Sequence, residues 1–98
     1  MDGDEDLLKT VAKLCLESLP EHLRILNESV QQKDSKQLEY AAHTIKGSAK
    51  QFGASRAGNV AYQLEQKGKS KDTSGTESLA VQLNQEIDVM IKELQKLV

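Results

Sequence analysis

The residues of this 98-residue chain best suited to chemistry lie in His43-Thr44-Ile45-Lys46-Gly47-Ser48. Wound as a helix at ~100° per residue, the surrounding stretch puts Leu38, Ala41, Ala42, Ile45, Ser48, Ala49 and Phe52 on one side. Their spacing of three and four is that of a core-facing stripe. His43 falls about 200° from Ile45 by the same count. It shares its side with Lys36, Glu39, Tyr40, Lys46, Gly47 and Lys50. An imidazole pointing outward, with a reference pKa of ~6.5, is a nucleophile at physiological pH. It can attack a phosphoryl group presented by a partner. Such transfer needs in-line positioning and charge neutralisation more than elaborate acid–base chemistry. Lys46 at i+3 and Lys50 at i+7 can supply the positive charge. Gly47 at i+4 costs the helix roughly 0.5–1 kcal/mol relative to alanine and leaves space over the ring. One ring nitrogen must stay free to attack, while an acceptor on the other fixes the tautomer. Glu39 at i−4 is a candidate acceptor on the same helix.

An outward histidine on a helix is ordinarily a solvated surface residue. Here the whole constellation resembles the histidine phosphotransfer (HPt) family. That family's signature is a His, two residues, Lys-Gly and a small residue, with a Gly-Ala pair ending the helix. The chain carries His43-Thr44-Ile45-Lys46-Gly47-Ser48, then Phe52-Gly53-Ala54, and Leu64-Glu65 on the following stretch. The sequence-specific likeness covers residues 38–65, and the length and helix layout extend it over nearly the whole chain. The resemblance implies that His43 accepts a phosphoryl group. It also implies that a Gln or Glu twenty-two residues on, here Glu65, holds the ring. A carboxylate there would also repel incoming phosphate. Lys69, one turn beyond Glu65, can steer the partner or the phosphate. Lys50 departs from the small residue common at its position and adds positive charge to the docking face. The implied partners are receiver domains of response regulators or hybrid histidine kinases, docking over His43 with Tyr40, Glu39, Leu16 and Ile25 nearby. No cofactor is expected on this chain; Mg²⁺ and the aspartate come with the receiver.

The elements that must position His43 follow from punctuation and periodicity. Asp4 can cap a first helix whose apolar side is Leu7, Leu8, Val11, Leu14 and Cys15. Ser18-Leu19-Pro20-Glu21 predicts a new start, with Ser18 as N-cap and Pro20 in the first turn. Leu19, Leu23, Leu26 and Val30 then repeat at bundle spacing. Asp34 with Gln37, or Ser35, can cap the helix bearing His43, and Gly53 can end it in a left-handed conformation. Ser55 caps a fourth helix with Ala57, Val60, Ala61 and Leu64 inside. Residues 67–75 form a polar linker, and Ser74 with Glu77 predicts a capping-box start. Leu79, Leu83, Ile87, Met90, Leu94 and Leu97 give the last helix one apolar seam. The expectation is an all-α single domain over residues 1–98, an antiparallel up-down-up-down four-helix bundle with an extra short N-terminal helix.

Composition agrees. The chain has no Trp, two Tyr and one Phe, so core volume must come from aliphatic residues on good helix formers. The formal charge of −2 gives no field favouring nucleic acid or an anionic membrane. Cys15 is the sole cysteine and reads as a small core residue in a reducing compartment. His22 reads as a surface residue, because no Cys or second His stands at metal-site spacing. No apolar run approaches the ~20 residues of a membrane span. The expected setting is cytoplasmic, with no direct membrane contact, whether free or as the cytoplasmic end of a membrane-bound sensor kinase. No dimer-specific seam is visible, and a monomer is expected.

The chain lacks Gly-x-x-x-x-Gly-Lys-Ser/Thr and Gly-x-Gly-x-x-Gly phosphate loops, so it should not phosphorylate itself from ATP. A dimerising histidine-kinase hairpin would place Glu or Asp directly after the His and a Pro later; His43-Thr44 lacks both. The remaining alternative is a non-catalytic helical adaptor that uses the same surface only for binding.

Overall fold

The structure, a computed structural model, describes the backbone of residues 2–98 and the side chains from Asp6 onward. The proposed cap at Asp4 lies outside the described side chains. Four helices make up the fold: α1 (Asp2–Gln32), α2 (Ser35–Gln51), α3 (Ser55–Lys69) and α4 (Thr76–Gln95). α2 packs on α1 and α3, and α4 packs on α3 and α1. Short connections and cyclic neighbours make this the expected antiparallel bundle.

The separate N-terminal helix does not exist. α1 runs unbroken through Pro20. Ser18 caps nothing; its hydroxyl donates back to the Cys15 carbonyl at 3.4 Å. The reason lies in the stripe. Ala12, Cys15, Leu19, Leu26 and Val30 all enter one core, and that register survives only if both halves share an axis. Pro20 itself is exposed, so its ring displaces no core side chain. The same register turns Leu7, Leu8 and Leu14 outward, against the expectation that they face inward.

α2 is fixed at both ends by its own sequence. Asp34 Oδ1 accepts from the Gln37 backbone N–H at 3.1 Å. At the other end Gly53 has φ +70°. Ala54 N–H donates to Ala49 O at 2.8 Å and Gly53 N–H to Lys50 O at 3.2 Å, the paired bonds of a Schellman ending. α1 and α3 end with the same bond pattern, but Lys33 and Lys71 occupy the left-handed position.

Two expected caps are absent. α3 is preceded by Ala54 and α4 by Gly75 at φ +74°, neither with a side-chain cap. Ser74 is occupied elsewhere: Asp72 Oδ1 accepts from its backbone N–H at 3.0 Å and its hydroxyl at 2.6 Å. These two bonds, with Lys67 3.2 Å from Oδ2, hold the Asp72 carboxyl down at about 2. The connection between α3 and α4 is shorter than predicted, because residues 67–69 complete α3. The buried seam of α4 is Ala80, Leu83, Ile87, Met90 and Leu94; Leu97 is exposed beyond the helix. No helix among the described residues is long and apolar enough to cross a membrane.

Candidate functional site

α2 buries Leu38, Ala41, Ala42, Ile45 and Ala49, the stripe predicted from spacing. His43 is therefore carried on the outer side, and its side chain is 67% exposed. α3 presents Ala57, Gly58, Ala61, Leu64 and Glu65 to the bundle. Glu65 lies on this inward side of α3, which brings its carboxylate under the ring.

Glu65 is the unusual member. Its side chain is only 3% exposed, yet it is a carboxylate. Oε2 lies 2.8 Å from His43 Nδ1. Lys46 Nζ lies 2.6 Å from Oε1, and Lys69 Nζ lies 3.9 Å from Oε2. Oε1 is buried, and the ammonium of Lys46 at 2.6 Å is the charge that answers it. Burial pushes the Glu65 carboxyl up, but the contacts with Lys46 and His43 outweigh it and hold it below its ordinary 4.5. Glu65 is thus ionised at neutral pH. An ionised carboxylate only accepts, so Nδ1–H of a neutral His43 donates to it. The tautomer follows: Nε2 carries the free lone pair and faces solvent.

Lys46, expected on the outward side of α2 beside His43, is largely covered there. Its side chain is 16% exposed and tied to Glu65. The ammonium also sits 5.4 Å from the centroid of the Tyr62 ring, within cation–π range. It therefore cancels the negative charge that would otherwise repel an incoming anion. Lys50 and Tyr40 are exposed beside the histidine on α2. Glu39 forms no hydrogen bond with the ring among the described residues; the acceptor is Glu65, from the next helix. Lys36, Glu39, Tyr40, His43, Glu65 and Lys69 line one shallow concavity. Gly47 is exposed, and a Cβ there would meet nothing within 4 Å, so the surface above that turn of α2 is open.

Tyr62 and Gly68 belong to this neighbourhood and were not singled out by the sequence. Both stand three residues from Glu65, so helical spacing places them on its side of α3. No group of residues that could hold a metal occurs among the described residues.

No curated protein and no solved structure matches the chain. The family model described as "Hpt domain" matches residues 10–96, a span that includes His43, Lys46, Gly47 and Glu65. An exposed imidazole held at one nitrogen, on a four-helix bundle matched over nearly its whole length, makes this chain a member of the Hpt domain family of histidine phosphotransfer modules in two-component phosphorelays.

Proposed function

We propose that the protein is a relay intermediate that takes a phosphoryl group from the aspartate of one receiver domain and passes it to the aspartate of another. His43 Nε2 attacks the phosphorus of the aspartyl phosphate. The N–P bond forms as the P–O bond to the aspartate breaks, and the aspartate leaves as a free carboxylate. The proton on Nδ1 stays in its bond to Glu65 Oε2. The ring gains positive character on phosphorylation, and the buried carboxylate beneath it opposes that charge. In the onward step a second receiver's carboxylate attacks the phosphorus, and Nε2 recovers its lone pair.

The observation that carries this reading is the pairing of a solvent-facing Nε2 with an Nδ1 occupied at 2.8 Å by Glu65. Lys50 and Lys69 are exposed beside it and are proposed to attract the phosphate-bearing acidic pocket of the receiver. Tyr40 is proposed as apolar contact, and open space over Gly47 as clearance for the partner. Glu39 lines the rim. In this reading Mg²⁺ belongs to the receiver, the 98 residues act as one domain, and transfer takes place in the cytoplasm. The interface is expected to be small and transient, since the phosphoryl group must move on.

The test is incubation with a phosphorylated receiver, followed by a search for acid-labile, alkali-stable label. The wild-type chain should acquire it. His43→Gln should not, with its helical circular dichroism unchanged. Label on His43→Gln would remove the site assignment. A wild-type chain that binds receiver but never takes label would be an adaptor.

A further inference from the structure

Gly68 is buried in the last turn of α3, against Glu39 of α2. A Cβ at this position would lie 2.7 Å from the Glu39 backbone nitrogen and 2.8 Å from both its Cα and its Cβ. Real Cβ atoms essentially never come that close. Two of the three opposing atoms are backbone, so no side-chain rotation relieves the overlap. Gly58, the other buried glycine of α3, is different: its added Cβ would meet the Ala49 Cβ at an ordinary 3.8 Å.

The contact is coupled to the site by helical geometry. Glu39 and His43 are one turn apart on α2, and Gly68 and Glu65 are one turn apart on α3. The helices are antiparallel neighbours, so the Gly68–Glu39 contact and the Glu65–His43 bond are consecutive rungs between the same two helices. The spacing of one sets the spacing of the other. A methyl at residue 68 would drive the helices apart by roughly 0.7 Å to reach ordinary van der Waals separation. That retreat carries a 2.8 Å bond past the ~3.2 Å limit for N–H···O.

We propose that Gly68 is a positioning residue for the phosphotransfer histidine: its missing side chain lets α3 lie close enough to α2 for Glu65 to hold Nδ1–H and leave Nε2 free. Its meaning for transfer rests on His43 being the acceptor. The geometric part stands independently, because the tautomer can be read without any phosphoryl donor.

The experiment is Gly68→Ala made in a Gly58→Ala background, where added helix propensity offsets lost stability. Long-range ¹H–¹⁵N correlation at the His43 ring reports which nitrogen carries the proton. Gly58→Ala alone should keep the wild-type Nδ1–H form and transfer rate. The double variant should keep its folded amide spectrum but show the tautomer mixture of a free imidazole. Its transfer from a phosphorylated receiver should fall by roughly tenfold or more. In an Glu65→Ala background, Gly68→Ala should change neither readout further. An unchanged Nδ1–H form in the folded double variant overturns the proposal. So does a tautomer change of equal size from Gly58→Ala alone. If the wild-type chain takes no label yet the tautomer responds as described, the positioning role stands and the relay reading falls.

Discussion

Glu65 and His43 face each other across 2.8 Å with opposite surroundings: the carboxylate is 3% exposed and the imidazole 67%. A buried anion is costly unless charge or hydrogen bonds answer it. Here Lys46 and His43 both do so. The site is therefore an electrostatic unit whose internal parts are sealed and whose reactive nitrogen is not.

Removing the anion should expose that dependence. Glu65→Ala leaves the Lys46 ammonium without its counter-charge and Nδ1–H without its acceptor. Stability should fall by about 1–2 kcal/mol, read from the urea midpoint at pH 7. Glu65→Gln, which can still accept from Nδ1–H, should lose less transfer rate than Glu65→Ala. Equal rates for the two would show that holding the ring proton is not what the residue does.

The lowered Glu65 carboxyl makes stability pH-dependent with a definite sign. Its folded value lies below the ordinary 4.5, so the folded state binds fewer protons than the unfolded chain in acid. The stabilisation is fully present above the unfolded value and is lost as pH falls through the folded one. Urea midpoints should therefore drop more steeply for wild type than for Glu65→Gln between pH 5 and pH 3. Parallel curves over that interval would contradict the ionic account.

Gly47→Gln should separate folding from transfer. Nothing opposes a side chain there, and glutamine is the better helix former, so stability should rise by about 0.5–1 kcal/mol. Transfer from a receiver should slow, because the new side chain fills the clearance beside the ring. A thermal melt and a transfer assay on the same sample decide it; equal transfer rates would remove the clearance role.

Pro20 is exposed in the middle of α1. Alanine there restores the backbone donor toward the Leu16 carbonyl and removes the ring's steric conflict. Pro20→Ala should raise stability by at least about 1 kcal/mol, measured by denaturant unfolding. A loss of stability would mean that the axis of α1 depends on the ring.

The inward stripe of α2 was legible from spacing, as was the outward direction of His43. So were the Asp34 cap and the Gly53 ending. The break at Pro20 was misread because a local signal was weighed without the core it had to serve. Leu14 was assigned inward for the same reason: apolar type was visible, but the phase of the stripe set by Ala12, Cys15 and Leu19 was not. Ser74 matched a capping pattern, yet Asp72 claimed it first.

The buried stripe of α2, its Asp34 cap and its Gly53 ending depend on dihedral geometry and residue type within one helix, and those were determined by the linear order of the amino acids. The choice of Glu65 over Glu39 as the ring's partner was not. Neither was the diversion of Lys46 into a Glu65–Tyr62 cage, nor the pressing of Gly68 onto the Glu39 backbone. Each depends on how closely two helices approach and in what register, to within a few tenths of an ångström. That distance is set by every side chain packed between them, so only the assembled bundle decides it.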